Sequence, residues 1–264
     1  MPTTYVTLVR HAQGFHNLTT INQQIPDPDL TPLGRQQCAD LCAAFPHHEK
    51  ITHLVSSPMR RTLYTCLLSF APAAAAGKVI TALPEIQEVS NLPCDIGSSP
   101  KRLAAEFEPE VVDLSRLTPD WTDKGPDSPW QPDMAKLEAR SQAARRYLRD
   151  LGAKHAAETG GKEDAHIVAV THGGILHFLA QDFDGMNFQY GTGWHNTEYR
   201  TYVFADPSGL DPEARLHETK ASWRRRRSSS AAGLTETEQR ELRAAVSSKI
   251  KEEFGGPTAK PAAE

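Results

Sequence analysis

The chain has 264 residues, of which 39% are hydrophobic and 23% are charged, and its formal net charge at pH 7 is −4. This length and composition are typical of a globular protein with one α/β domain and insertions. The net charge argues against a general nucleic-acid-binding surface, and no apolar stretch approaches the ~20 residues that span a bilayer. We therefore expect a protein that binds neither nucleic acid nor membrane.

The N-terminal segment and the cysteines indicate the cellular compartment. The first residues run directly into an apolar strand, without the features of a secretory signal, so we expect a cytoplasmic protein, with the nucleus as the alternative. Cys38, Cys42 and Cys66 lie on apolar helical stripes and are predicted to be packed thiols, not disulfides or ligands. Cys94 is also predicted to be packed, although its position in a loop leaves substrate contact open.

The first predicted strand, residues 4–9, leads into the segment Arg10-His11-Ala12-Gln13-Gly14-Phe15-His16-Asn17. The alternating apolar pattern of residues 5–9 is that of a buried strand. Open α/β sheets bind ligands at the carboxyl ends of such strands. An imidazole next to a permanent cation at this position is suited to attack on a phosphoryl group.

The following predicted elements alternate between helices and strands. Thr31-Pro32 predicts a helix to about Phe45, because a capping hydroxyl precedes a proline at the first helical position. Three more predicted strands each end in a loop with charged or imidazole groups. Strand 51–56 precedes Ser57-Pro58-Met59-Arg60-Arg61 and a helix over 58–70. Strand 78–82 precedes Glu85 and Glu88, and strand 165–171 precedes His172-Gly173-Gly174 and an apolar helix.

Strands separated by helices imply right-handed parallel crossovers. The predicted fold is therefore α/β, a three-layer α/β/α sandwich with a mostly parallel, doubly wound sheet. The charged loops then meet at one edge of that sheet. A strand at 199–204 completes the predicted domain, which we expect to cover residues 1–222.

Residues 91–133 are predicted to form an insertion before a long helix over 134–157. The insertion contains seven prolines, which exclude long regular elements, and two tryptophans that favour packing onto the domain. Its position after Glu88 suggests a lid. The segment 93–99, which includes Cys94 and Asp95, is our candidate for substrate selection.

Residues 223–264 differ in character from the rest of the chain. The run Arg224-Arg225-Arg226-Arg227 is predicted to be a solvated linker, and a capping box at Thr235 predicts a charged helix to about Phe254. We expect residues 255–264 to be disordered, and truncation after Ser222 to leave an active enzyme. A basophilic kinase site at Ser229 and a nuclear import signal are the functional alternatives to a plain linker.

These segments resemble the histidine phosphatase superfamily, in the branch of the phosphoglycerate mutases and related phosphatases, and in particular its fungal phosphoglycerate-mutase-like proteins. The resemblance covers about residues 3 to 205. It is carried by Arg10-His11, with Ala12 in place of the usual glycine, by Asn17, by Ser57-Pro58-Met59-Arg60-Arg61 with Thr65, by Glu88, and by Thr171-His172-Gly173.

The resemblance implies a role for each matched residue. His11 is the expected nucleophile, and Glu88 is the expected proton donor to the leaving group. The catalytic set also includes Arg10, Arg61 and His172. The same three residues are expected to bind the phosphoryl group together with Asn17 and Gly173. No metal and no cofactor are expected.

Several residue assignments remain open at the level of the sequence. Glu85 is the alternative acid to Glu88, and Arg60 is the alternative to Arg61 if the register is shifted by one. For His16 there are two alternatives, contact with the phosphate and packing within the turn that contains it. His195 lies before the last strand and is a candidate for approaching the site.

The expected activity is hydrolysis of a small phosphorylated metabolite by a metal-independent phosphatase. The mutase branch typically has a glutamate where this chain has Gln13, a tryptophan where it has His16, and Asn-Glu-Arg at the acid, where Glu88 is instead followed by Val89. These departures favour a phosphatase over a cofactor-dependent phosphoglycerate mutase. A catalytically idle binding module is the third hypothesis, and the sequence does not name the physiological substrate.

Overall fold

The computed structural model describes residues 2–186, 192–227 and 233–254, and its centre is a seven-stranded sheet. Its strands are β1 (Thr4–Arg10), β2 (His53–Ser56), β3 (Ile80–Ala82), β4 (Val112–Asp113), β5 (Ala165–Thr171), β6 (Tyr199–Phe204) and β7 (Leu216–Glu218). Their order across the sheet is β4-β3-β2-β5-β1-β6-β7. The first five strands pair in parallel, whereas β6 pairs antiparallel with β1 and β7. The predicted mostly parallel sheet is confirmed.

Helices cover both faces of this sheet. The described helices are α1 (Pro32–Ala44), α2 (Arg60–Ser69), α3 (Ala71–Ala75), α4 (Pro100–Glu106), α5 (Met134–Glu158), α6 (Gly173–Ala180), α7 (Lys220–Arg226) and α8 (Glu236–Phe254). The Thr31 hydroxyl caps α1 by accepting a hydrogen bond from Gly34 N, and the Asp133 carboxylate caps α5 by accepting one from Lys136 N. No described helix is both long enough and apolar enough to cross a bilayer.

Two hydrophobic cores correspond to the two faces. On one face, Leu8 and Ala169 of the sheet pack in a cluster with α5, α6 and α8. On the other face, Val9 and Val170 pack in a cluster with α1 and α2. Since successive strand residues point to opposite faces, Leu8 and Val9 contribute to different cores. The result is the predicted three-layer sandwich.

The insertion between β3 and α5 contains short regular elements. Pro100 occupies the first turn of α4, where a missing N–H is tolerated, and the Ser99 hydroxyl caps this helix by accepting from Arg102 N. Trp121 is fully buried, and an added Cβ on Gly97 would lie 2.1 Å from its Cη2 atom. Trp121 also belongs to the same hydrophobic cluster as Leu63 of α2, so the insertion is packed against the domain at this tryptophan.

The structure differs from the predicted linker at residues 224–226, which are helical. Arg224, Arg225 and Arg226 lie in α7, which begins at Lys220 with the Thr219 hydroxyl as its cap. Arg225 lies over the Tyr199 ring at 4.0 Å, and Arg226 forms an ion pair with Glu218. Aromatic and acidic partners thus hold Arg225 and Arg226 against the domain, while Arg224 and Arg225 remain exposed.

This packing also affects the predicted tail. The boundary between residues 222 and 223 lies inside α7, because this helix covers Lys220–Arg226. The predicted helix over 235–254 is present as α8, and Val246 and Ile250 are buried in the core. Ser229 and residues 255–264 lie outside the described residues, so the predictions for a kinase site and for terminal disorder stay predictions.

Candidate active site

The loops that follow β1, β2 and β5 are joined by backbone hydrogen bonds at the carboxyl edge of the sheet. His11 N donates to Thr171 O at 2.8 Å, and Ser57 N donates to Val170 O at 2.9 Å. These bonds continue the parallel ladder beyond the strand ends. They bring the His11 and His172 rings to a centroid distance of 5.2 Å.

His11 is held in one tautomer by its own loop. Its Nδ1 atom lies 2.7 Å from the carbonyl oxygen of Ala12, which can only accept, so Nδ1 carries the proton. The Nε2 atom of the neutral ring then keeps its lone pair. Burial, together with the nearby Arg61 and Arg10, holds the pKa of His11 well below its usual value. The ring is 2% exposed and is therefore neutral at physiological pH.

His172 is the opposite tautomer. Its Nδ1 atom accepts a hydrogen bond from Arg61 Nη2 at 3.1 Å, because a guanidinium can only donate. The proton of the neutral ring is therefore on Nε2, which donates to Ser57 Oγ at 2.8 Å. Burial and the Arg61 charge lower the pKa of His172 well below its usual value.

Arg61, and not Arg60, lies in this cluster. Arg61 is fully buried, donates to Cys94 O at 2.7 Å and forms an ion pair with Asp95 at 2.8 Å. Arg60 instead turns toward Glu106, also at 2.8 Å, and away from the two histidines. On α2 successive residues point in different directions, so the site accepts only one of the adjacent arginines.

Three buried nitrogen atoms around His11 have no hydrogen-bond partner among the described residues. They are Arg10 Nε, Arg61 Nε and His16 Nδ1. The His16 ring centroid lies 5.4 Å from that of His11, and burial, helped by Arg61, lowers the pKa of His16 to about 2. Unsatisfied buried donors are costly, so an anion that accepts from them stabilises this arrangement.

Glu88 lies at the N-terminus of α6. Its carboxylate accepts hydrogen bonds from the backbone N–H groups of Gly174 and Ile175, both at 3.0 Å. Burial raises the pKa of Glu88, and the negative charge of Asp95 raises it further, against these hydrogen bonds. The Glu85 side chain instead lies near Arg116, at 3.5 Å. Of the two candidate acids, the structure places Glu88 in the cluster.

Four other predicted contact residues have different surroundings. Asn17 is exposed, and its Oδ1 atom accepts from Gly14 N at 3.0 Å within the turn. Gly173 begins α6, where an added Cβ would lie 2.4 Å from the Thr192 side chain. Cys94 is buried and presents its backbone oxygen to Arg61. The structure does not bring the exposed His195 ring into the site.

The His195 segment does reach the site, through its neighbours. Arg10 Nη1 donates to the carbonyl oxygen of Trp194, and Asn196 Nδ2 donates to His11 O at 2.8 Å. A backbone oxygen and an amide side chain make these contacts, so no titratable residue marks them in the sequence.

The site contains two residues that we did not predict, Lys124 and Arg140, which are buried next to Glu88. Ser57 and Asp95, which belong to predicted segments, contact His172 and Arg61. Burial lowers the pKa of Lys124 to about 7, with a contribution from Arg140. Ser57 adjoins the arginine pair and Asp95 lies in the segment 93–99, but Lys124 and Arg140 come from distant segments without a motif. No group of three or more potential metal ligands occurs in the described ranges.

The chain is similar to a known protein family and to a plant protein. A family model for the histidine phosphatase superfamily (branch 1) matches residues 6–209. A phosphoglycerate mutase-like protein of Arabidopsis thaliana is 25% identical over 248 residues, which cover 78% of this chain and 86% of that protein.

Solved structures are similar in fold. Mycobacterial hydrolase 2 has a TM-score of 0.52 at 18% identity, and the match covers 94% of this chain and 99% of that chain. Bacillus stearothermophilus YhfR has a TM-score of 0.51 at 16% identity, with 82% of this chain and 95% of that chain covered.

Proposed function

Because this chain belongs to the histidine phosphatase superfamily, we propose that it hydrolyses a small phosphorylated metabolite through a phosphohistidine intermediate. The observation that supports this most directly is the set of unpartnered buried donors around a neutral His11. These nitrogen atoms are suited to the oxygens of a phosphoryl group, and the free Nε2 lone pair of His11 is suited to attack its phosphorus.

In the first step His11 Nε2 attacks phosphorus. An N–P bond forms, the ester P–O bond breaks, and its electron pair stays on the leaving oxygen. Glu88 donates its proton to that oxygen, so the product is an alcohol. The raised pKa of Glu88 favours the protonated form that this step needs.

In the second step a water molecule attacks the phosphohistidine. Glu88, now ionised, takes one proton from this water, an O–P bond forms and the N–P bond breaks. His11 recovers its lone pair, and inorganic phosphate leaves. Glu88 is again protonated, and the cycle is complete without a metal or cofactor.

Charge on the phosphoryl oxygens is stabilised by the fixed donors of the site. Arg10 and Arg61 supply permanent positive charge, and the unpartnered Nδ1 atom of neutral His16 supplies a donor in the tautomer that has its proton there. His172 Nε2–H faces Ser57 and becomes a donor to a bound phosphoryl group if that bond is exchanged. The backbone N–H of Gly14 binds Asn17 Oδ1, which leaves the Asn17 amide nitrogen as a further donor for the substrate.

A mutase-type phosphotransferase is the second candidate. His11 is 2% exposed and His172 is 0% exposed, and such burial protects a phosphohistidine from water. The departures at Gln13 and His16 from the mutase pattern favour the phosphatase. The two activities differ in product, since a mutase returns the phosphoryl group to a phosphoglycerate and a phosphatase releases it.

The test is phosphate release from a panel of sugar phosphates, nucleotides, phosphoglycerates and phosphoproteins. We expect the wild-type protein to release phosphate and to form an acid-labile, base-stable phosphoryl group during turnover. His11→Ala should abolish both, and His217→Ala, which changes an exposed histidine, is the control. Equal release by wild type and His11→Ala would disprove the mechanism, and no turnover of any substrate would favour the idle binding module.

A further inference from the structure

Arg140 binds the loop that carries Glu88 through three backbone oxygens. From α5, its Nη1 atom donates to Glu85 O at 2.8 Å and to Gln87 O at 2.5 Å, and its Nη2 atom donates to Glu88 O at 3.1 Å. The Arg140 side chain is almost fully buried. One planar guanidinium therefore fixes three carbonyl groups within four consecutive residues, which a flexible ammonium cannot reproduce.

Lys124 reaches the same point from the insertion. Its Nζ atom donates to Glu88 O at 2.8 Å, so the carbonyl of Glu88 accepts from two cationic side chains. The insertion makes a second contact there, because Gln87 Nε2 donates to Trp121 O at 3.1 Å. Residues 121–124 and α5 thus hold the Glu88 loop from separate elements.

Burying two cationic side chains on one carbonyl group costs more free energy than a purely structural contact requires. Burial and mutual repulsion lower the pKa of Lys124 to about 7, and burial lowers that of Arg140 to about 10. Neutral donors satisfy backbone carbonyls at a smaller desolvation cost. The cost is explained if the orientation of the Glu88 backbone itself matters.

The carboxylate of Glu88 depends on that orientation. The carboxylate must accept hydrogen bonds from Gly174 N and Ile175 N and still reach a leaving oxygen of the substrate. The backbone carbonyl that Arg140 and Lys124 bind belongs to the same residue, Glu88. We propose that Arg140 and Lys124 are positioning residues for Glu88, which aim its carboxyl group at the leaving group of the substrate. This inference rests on the acid role of Glu88 in the proposed function.

The experiment measures kcat/KM for a series of aryl phosphates with increasing leaving-group pKa and for one alkyl phosphate. Aryl phosphates with good leaving groups need no proton, whereas the alkyl phosphate does. We expect Arg140→Lys and Lys124→Met to lower alkyl phosphate turnover about tenfold, and turnover of the best aryl phosphate less than about twofold, since misplacement by a fraction of an ångström affects only the proton transfer.

Arg145→Lys is the matched control. Arg145 also lies on α5 and is buried, but it donates to Phe178 O at 3.0 Å and to Glu213 O at 2.9 Å, away from Glu88. This variant should affect the thermal unfolding midpoint without changing the ratio of alkyl to aryl turnover. Lys124→Met provides the test if Arg140→Lys does not fold.

The decisive comparison places Arg140→Lys in the Glu88→Gln background. Because Arg140 acts through the carboxyl group, the double variant should show the same alkyl-to-aryl ratio as Glu88→Gln alone. Equal losses on all substrates in both positioning variants, or a further selective alkyl loss in the double variant, would overturn the inference but leave the acid role intact. If Glu88→Gln itself affects all substrates equally, the acid role fails and the inference fails with it.

Discussion

At the scale of single residues, hydrogen bonds assign different chemistry to identical side chains. His11 and His172 are both buried and neutral, but they carry the ring proton on different nitrogen atoms. The Ala12 carbonyl fixes the proton of His11 on Nδ1, whereas the Arg61 guanidinium, which donates to Nδ1 of His172, leaves the proton of that ring on Nε2. One ring therefore has a free lone pair, and the other is a donor. The same logic separates Arg60 from Arg61, since only Arg61 is bonded to His172.

The arginine pair offers a direct prediction. Arg61→Ala should lower kcat/KM about 10²- to 10³-fold, because a preorganised charge on the phosphoryl group is lost. Arg60→Ala, the matched control, should change activity less than about threefold, since it removes ion pairs with Glu106 and Asp29 and no bond to His172. Steady-state kinetics on one good substrate measures both effects. A large loss of kcat/KM in Arg60→Ala with a small loss in Arg61→Ala would contradict the prediction. Arg61→Lys provides a second variant if the buried Asp95 left by alanine prevents folding.

The pH dependence of the acid gives another prediction. Glu88 acts as a proton donor only when protonated, so kcat/KM should fall as the pH rises through its pKa in the free enzyme. The Asp95 charge raises that pKa, so Asp95→Asn should lower it and move the descending limb to lower pH. Glu85→Gln, the matched carboxylate change, should leave the limb in place. A pH profile with an unmoved limb in Asp95→Asn would show that Asp95 does not tune the acid.

At the scale of elements, the N-terminus of α6 is the binding site for the Glu88 carboxylate. Gly173 and Gly174 begin the helix, and the unpaired N–H groups of its first turn bind the Glu88 carboxylate. An added Cβ on Gly174 would lie 2.6 Å from Glu88 Oε1. The glycine is therefore needed for a close approach and not for an unusual backbone conformation.

This contact predicts the effect of Gly174→Ala. The new methyl group has to displace the Glu88 carboxylate, so alkyl phosphate turnover should fall by at least about tenfold while good aryl phosphates are turned over at near wild-type rate. The thermal unfolding midpoint serves as the control for folding. Unchanged alkyl turnover in a folded variant would mean that Glu88 tolerates the shift or is not the acid.

At the scale of the whole molecule, the C-terminal helix is part of the core. Val246 and Ile250 of α8 are 5% and 2% exposed and belong to the same cluster as α5 and α6. Truncation after Ser222, which the sequence led us to expect to be harmless, would cut α7 and remove these side chains. We now expect that truncation to destabilise the domain.

A point substitution measures the contribution of α8. Ile250→Ala should lower the free energy of unfolding by about 2–5 kcal/mol, because it leaves a cavity in the core. Lys251→Ala, at the neighbouring exposed position, should change it by less than about 0.5 kcal/mol. Denaturant unfolding checks both values, and kcat of the folded fraction should be unchanged. Similar small effects of both variants would show that α8 is not anchored at Ile250.

Removal of metal ions tests the mechanism as a whole. Each step of the proposed mechanism uses only His11, Glu88 and the fixed donors of the site, so activity after dialysis against excess chelator should stay within about twofold of its starting value. Full loss of activity that returns with magnesium would assign the chemistry to a bound ion.

The sequence by itself determined the order of strands and helices along the chain and the candidate catalytic residues. Apolar strands of period two and capped helices are local patterns, so strand 165–171 and the helices near 32–44 and 134–158 follow from short segments. The motifs around His11, Arg61, Glu88 and His172 lie directly after those strands. Parallel strands place such loops at one edge.

Only the tertiary structure decided how these groups are bonded and supported. Lys124 and Arg140 reach the site from an irregular insertion and from the second turn of a long helix, where no period or motif marks them. The packing of Arg225 and Arg226 on Tyr199 and Glu218 depends equally on distant partners. Such contacts join residues far apart in the chain, and their energies depend on burial and charge, which local patterns do not specify.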